Sequence, residues 1–319
     1  MVFNNALVIN REMKGIVVKS TGSWYKVRIA HGEIVDARVR GKLRTTGIRS
    51  TNPVAVGDMV LLSQRSEGDW SIDDLEERKN YIIRKATKLS KQTHIVAANI
   101  DLAIALVTLK NPKLKFGFLD RMLITTEAYN IPTLIVFNKI DLLNDVERDY
   151  LNELSKAYQN FGYTMLQISV NEYMGIEELK ATIHNKTCAI SGHSGVGKSS
   201  LLNALTGIEV ARVTDVSDFN EKGQHTTTFA ELYEVNPSTF LIDTPGLKSF
   251  GLIDMQKEEL KDYFPEMVER SSNCKFHNCL HINEPGCAVK PAYENSELPW
   301  FRYENYLHFF DELKDLNAH

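Results

Sequence analysis

Residues 187–207, TCAISGHSGVGKSSLLNALTG, run a short apolar strand into a glycine-rich turn and then straight into a helix. The turn fits Gly-x-x-x-x-Gly-Lys-Ser, and that strand–turn–helix setting belongs to an α/β sheet. Its neighbours agree. From about residue 95 apolar strands (DLAIALVTL, PTLIVFN, TMLQIS, TCAIS) alternate with helical stretches (FLDRMLITTEAYN, VERDYLNELSKAYQNFG, GIEELKATIH, KSSLLNALTG). Such alternation predicts a mostly parallel, doubly wound sheet whose ligands lie at the carboxyl ends of the strands.

The turn carries a specific chemistry. Gly192, Gly195 and Gly197 let the backbone of Gly192, His193, Ser194, Gly195, Val196, Gly197 and Ser200 curl round phosphate oxygens, and the helix start favours that negative charge. Lys198 would neutralise β- and γ-phosphates, and the Ser199 hydroxyl would ligate Mg²⁺. Further on, LIDTPG (241–246) delivers Asp243, expected to hold Mg²⁺ through water, followed by Gly246, whose N–H could sense a γ-phosphate. Between them GQHTTTFAEL (223–232) offers Thr226–Thr228, with Thr228 the expected residue to close over Mg²⁺.

VFNKID (136–141) ends an apolar strand with Asn138, Lys139, Ile140 and Asp141. A carboxylate at Asp141 can accept two hydrogen bonds from the guanine N1–H and exocyclic amine, while Lys139 packs along the base. Adenine lacks those donors and would leave the carboxylate buried and unpaired. Ser169, in ISV (168–170), ends the next strand where a base-backing residue is expected; Val170 follows where Ala is usual. The base reader therefore precedes the phosphate loop by some fifty residues, the reverse of the ordinary order. All the parts are present, so the order implies a circular permutation, tolerable because domain termini commonly lie close together on the surface. The chain then leaves DTPGLKSFG directly into a cysteine cluster.

The flanks differ from this core. Residues 13–77 alternate in period two, with turns at Gly22-Ser23, His31-Gly32 and Gly57-Asp58, and predict about five short strands in an OB-type barrel. Residues 11–50 hold ten Lys/Arg against three acids, a net of +7, whereas residues 254–319 hold seven against thirteen, a net of −6. A basic barrel on an otherwise acidic chain points to a polyanionic partner. Trp24 and Tyr25, beside the basic residues, could stack on RNA bases, although an alternating strand places at least one in the core. The charged stretch 76–94 reads as a connector, and the last 65 residues read as helical.

CKFHNCLHINEPGC (274–287) spaces Cys274, Cys279, His281 and Cys287 as C-x4-C-x-H-x5-C. Three thiolates and an imidazole complete a closed tetrahedral Zn²⁺ site of the structural kind; on spacing alone His277 is a rival ligand. Cys188 reads as a small core residue. Four cysteines in 319 residues are too few for a disulfide scaffold, and no apolar run of 18 residues occurs. No signal-peptide layout opens the chain, so a soluble, cytoplasmic protein is expected.

The permuted order, the basic barrel, GHSGVGKSSLLNAL, HTTT and the cysteine cluster together resemble the RsgA family (also called YjeQ or YloQ), bacterial GTPases of small-ribosomal-subunit assembly. The resemblance covers essentially the whole chain. It implies an OB-fold (1–80), a circularly permuted GTPase domain (81–253) and a zinc-binding C-terminal domain (254–319), with His281 as the fourth ligand. It also implies a monomer that binds GTP and GDP with Mg²⁺, contacts the small subunit and its rRNA, and hydrolyses GTP with stimulation by that subunit. Gln224 departs from the Arg common before His-Thr-Thr-Thr. Leu247 stands where Ras-like proteins place a water-orienting Gln, so the isolated protein should be slow. The resemblance favours His225 as the catalytic group; its plain alternative is a surface histidine in a loop. A GTP-gated rRNA-binding scaffold with incidental hydrolysis is the second reading, and a phosphate-loop kinase or ATPase is disfavoured by Asn138–Asp141.

Overall fold

The computed structural model describes residues 12–39, 53–66, 68–85, 93–209, 230–244, 252 and 255–317. Five strands come first: β1 (Glu12–Ser20), β2 (Tyr25–Ile29), β3 (Ile34–Val39), β4 (Met59–Ser66) and β5 (Asp69–Leu75). They pair in the order β1-β2-β3-β5-β4, and β4 returns to β1, closing a barrel. Strand alternation turns Val17, Val27, Ile29, Val35, Val60, Leu62 and Ile72 inward, where they are buried together. Tyr25 is core at 2% exposure, while Trp24 is 48% exposed and carries the Arg38 guanidinium 4.6 Å from its ring centre.

The stretch expected to be a plain connector (76–94) contains the strand β6 (Tyr81–Lys85) and the start of β7 (Thr93–Ala98), paired antiparallel. Ile82, Ile83, Ile95, Ala97 and Ala98 are buried there. Only two or three buried apolar residues per strand leave too little period to show in the sequence.

The central sheet follows with β8 (Leu102–Val107), α1 (Phe116–Ala128), β9 (Thr133–Phe137), α2 (Asp145–Asn160), β10 (Thr164–Gln167), α3 (Ile176–Ile183), β11 (Thr187–Gly192), α4 (Lys198–Thr206), β12 (Glu231–Asn236) and β13 (Thr239–Asp243). Its strand order is β10-β9-β8-β11-β13-β12, parallel throughout except for β12 against β13. Helices cover both faces, so all six residues of β8 are buried and the strand reads as one apolar run. At its β12 edge the sheet continues into the barrel: Lys19 of β1 registers with Glu231, and the ion pairs Lys19–Glu231 (3.0 Å) and Arg28–Glu234 (2.8 Å) tie the seam.

The C-terminal residues form α5 (Pro265–Ser271), α6 (Val289–Glu294) and α7 (Trp300–Asn317). Phe264, Met267, Val289, Leu298, Tyr306 and Phe309 make their core, which takes in Ile124 of α1. Among the described residues no helix is long and apolar enough to cross a membrane.

Candidate functional site

The phosphate-type loop leaves β11 at Gly192 and enters α4 at Lys198. Gly197 caps α4 in the left-handed region (φ 93°), and a Cβ there would lie 2.4 Å from Asn138 Nδ2. Both constraints demand glycine. The close approach has a purpose: Asn138 Nδ2 donates to the Val196 carbonyl (2.8 Å), and its Oδ1 accepts from Val170 N–H (3.2 Å). Asn138 is buried and fastens the 192–200 loop to the loop after β10, a bracing role the motif alone does not reveal.

Ser194 and Gly195 are exposed at the crest of the loop, and Ser199 and Ser200 lie in the first turn of α4. His193 turns away to pack its ring 4.0 Å from that of Phe118. Lys198 Nζ lies 2.5 Å from Asp243 Oδ1 at the end of β13. The cation and carboxylate required for a magnesium–phosphate group thus converge, which is the fit such a group demands.

Lys139 adopts a left-handed conformation (φ 64°) that throws its chain back over the loop. Its Nζ donates to the Gly195 carbonyl (2.6 Å) and the Asn111 carbonyl (2.8 Å). Burial lowers its pKa from the ordinary lysine value, against the raising effect of Asp141. Ile140 is buried beneath, and Asp141 Oδ1 accepts from Ser169 Oγ (2.6 Å). Ser169 Oγ in turn accepts from Glu172 N–H (3.1 Å). The serine expected to back the base thus hydrogen-bonds the acid. The loop after β8, with Asn111 and Pro112, also borders the site, though no motif in the sequence marks it. Its position after the carboxyl end of a central strand was the available signal. His225, Thr228 and Gly246, with Leu247, lie outside the described residues.

The cysteine cluster comes together as spaced. One ligand atom each from Cys274, Cys279, His281 and Cys287 falls within 4.8 Å of all the others. His281 Nδ1 is 3.6 Å from Cys274 Sγ and 3.5 Å from Cys287 Sγ. Tetrahedral zinc with ordinary Zn–S and Zn–N bonds requires an S···N edge of about 3.6 Å, so these donors fit the ion. Burial, then Lys261, lowers the His281 pKa, favouring the neutral imidazole a metal needs. His277 is not in the cluster.

A phosphate loop, a guanine-type acid and a magnesium-type carboxylate share one sheet in permuted order, behind a barrel and before a Cys₃His cluster: the arrangement defines a circularly permuted GTPase. Comparison with known proteins agrees. The RsgA GTPase model matches residues 75–253 and the RsgA N-terminal domain model residues 14–72. The small ribosomal subunit biogenesis GTPase RsgA 2 of Bacteroides thetaiotaomicron is 44% identical, covering 95% of this chain and 98% of its own. The RsgA of Flavobacterium psychrophilum is 47% identical over 92% of this chain and 91% of its own. Among solved structures, YjeQ from Thermotoga maritima matches with a TM-score of 0.74 at 33% identity, covering 95% of this chain and 99% of its own. YloQ, described as a circularly permuted GTPase, matches at 0.72 and 28% identity, with 96% of each chain covered. The chain belongs to the RsgA GTPase family.

Proposed function

We propose that this chain binds GTP at the carboxyl ends of β9, β10, β11 and β13 and hydrolyses it on the small ribosomal subunit during late maturation. Asp141 reads guanine, held in aim by Ser169, and Lys139 lies along the base. The backbone from Gly192 to Gly197, with Lys198 and Ser200, holds the phosphates. Ser199, Asp243 and Thr228 would hold Mg²⁺, which when bound would offset charge on the β- and γ-phosphates. Gly246 N–H meets the γ-phosphate, and His225, in the stretch 223–232, orients or deprotonates water. Leu247 can do neither, so the chain alone turns over slowly. Cys274, Cys279, His281 and Cys287 hold one structural zinc per chain. Residues 1–80, 81–253 and 254–319 serve as rRNA-binding barrel, GTPase and zinc module of a cytoplasmic monomer.

The observation that carries the reading is the Ser169–Asp141 hydrogen bond (2.6 Å) beside the Asn138–Val196 bond (2.8 Å), which join motifs in reversed order into one site. GTP turnover measured with purified small subunits, with large subunits and with neither tests it. Stimulation should be confined to small subunits and should fall steeply with salt, because each phosphate contact releases counterions. Equal turnover in all three would reduce the chain to a GTP-gated scaffold.

A further inference from the structure

Helix α1 begins without a side-chain cap at Lys115, so its first turn depends the more on what packs against it. What packs on it is α7. Phe116 stacks on Phe301 with ring centres 4.0 Å apart and planes 13° apart. Gly117 faces Asn305, whose Oδ1 would sit 3.4 Å from any Cβ placed there. One turn on, Asp120 accepts from Arg302 Nη1 (2.6 Å) and Asn305 Nδ2 (2.6 Å), with Arg302 and Asp120 fully buried. The opposite side of the same turn carries Phe118, whose ring lies 4.0 Å from that of His193 in the 192–200 loop. Helix α7 grips the cysteine cluster as well: Tyr303 Oη donates to the His281 carbonyl (2.7 Å) and Tyr306 Oη to the Leu280 carbonyl (2.5 Å).

We infer that Phe118 is a positioning residue for the phosphate loop, and that α7 sets its place. The inference rests on reading residues 192–200 as that loop. His193 sits one residue into it, so its ring position fixes the peptide planes whose N–H groups must point at phosphate. A loop anchored on one side through Asn138 and on the other through His193 is preorganised, and less ordering remains to be done on binding. The metal module thereby reaches the 192–200 loop through α7 and α1.

The test measures Kd for fluorescent GDP and GTP, kcat at saturating GTP, and Tm in the full chain. Phe118→Ala should weaken both nucleotides by roughly two- to tenfold, the range of an aromatic pair, with kcat and Tm little changed. Phe118→Tyr should restore affinity, and Phe118→Leu keeps the site filled if the alanine variant does not fold. Asn305→Ala, which touches no residue of the nucleotide site, should shift Kd the same way. With His193→Ala as background, Phe118→Ala should cost almost nothing further. Lys198→Ala serves as the control and should abolish binding. If it binds as the wild type does, the phosphate-loop reading is wrong. If it fails to bind while Phe118→Ala and Phe118→Leu bind normally, or if the Phe118 and His193 effects simply add, Phe118 is packing only.

Discussion

Asp141 is a small group in a demanding place. Its carboxylate is aimed by Ser169 Oγ at 2.6 Å, and Glu172 N–H holds that hydroxyl in turn, so little freedom remains when a base arrives. Hydrogen bonds to a charged acceptor contribute about 1.5–3 kcal/mol each, and guanine offers two donors. Asp141→Asn replaces an acceptor pair with one acceptor and one donor. GTP affinity should fall by roughly 100-fold, while xanthosine triphosphate, with a carbonyl where guanine has its amine, should gain. Competition binding with both nucleotides checks this; unchanged preference for GTP over ATP would place base reading elsewhere. The spacing Asn-Lys-x-Asp revealed the acid. It did not reveal that Asn138 donates its amide to the Val196 carbonyl, because hydrogen-bond partners are properties of the fold.

At the scale of elements, α7 decides how the C-terminal residues attach. Arg302 is fully buried and bonds both Asp120 of α1 and Glu266 of α5 (2.5 Å). Burial drives the Asp120 carboxyl pKa upward, and Arg302 and Asn305 pull it back. Arg302→Met would strand two buried acids and should destabilise the protein by about 3–5 kcal/mol. Urea unfolding checks this, and adding Asp120→Asn and Glu266→Gln should recover much of the loss, since the stranded charges go while the side-chain oxygen at position 120 still accepts from Tyr158 Oη and Asn305 Nδ2. A loss that persists in the triple variant would mean that Arg302 does something besides neutralising those acids. The β6–β7 pair is a lesson of the same scale. Tyr81–Lys85 and Thr93–Ala98 become strands because partners exist for them, including the bridge from Val56 to Ala97.

Across the whole molecule, the permutation lets the chain pass from the end of β13 into the metal module, while β1 extends the sheet beyond β12. The barrel is therefore built onto the GTPase sheet, and the metal module packs on α1. Because metal affinity at a Cys₃His set is folding energy, chelation should lower the Tm of the C-terminal helices. Through the Tyr303 and Tyr306 bonds it should also blunt stimulation by small subunits. Elemental analysis should find one zinc per chain. Absence of zinc from native protein, or a Cys279→Ala variant with unaltered Tm and stimulated turnover, would sink the idea. The α/β alternation, the phosphate loop, Asn138–Asp141 and the cysteine spacing were all legible in the linear chain, since a ligand's chemistry dictates residue types at short fixed intervals and periodicity follows from one buried face. The Arg302–Asp120 pair spans 182 residues, Lys19–Glu231 spans 212, and Phe118 meets His193 across two elements. Such contacts depend on which surfaces the folded layers bring together, and a buried charge is stable only beside partners that no local window contains.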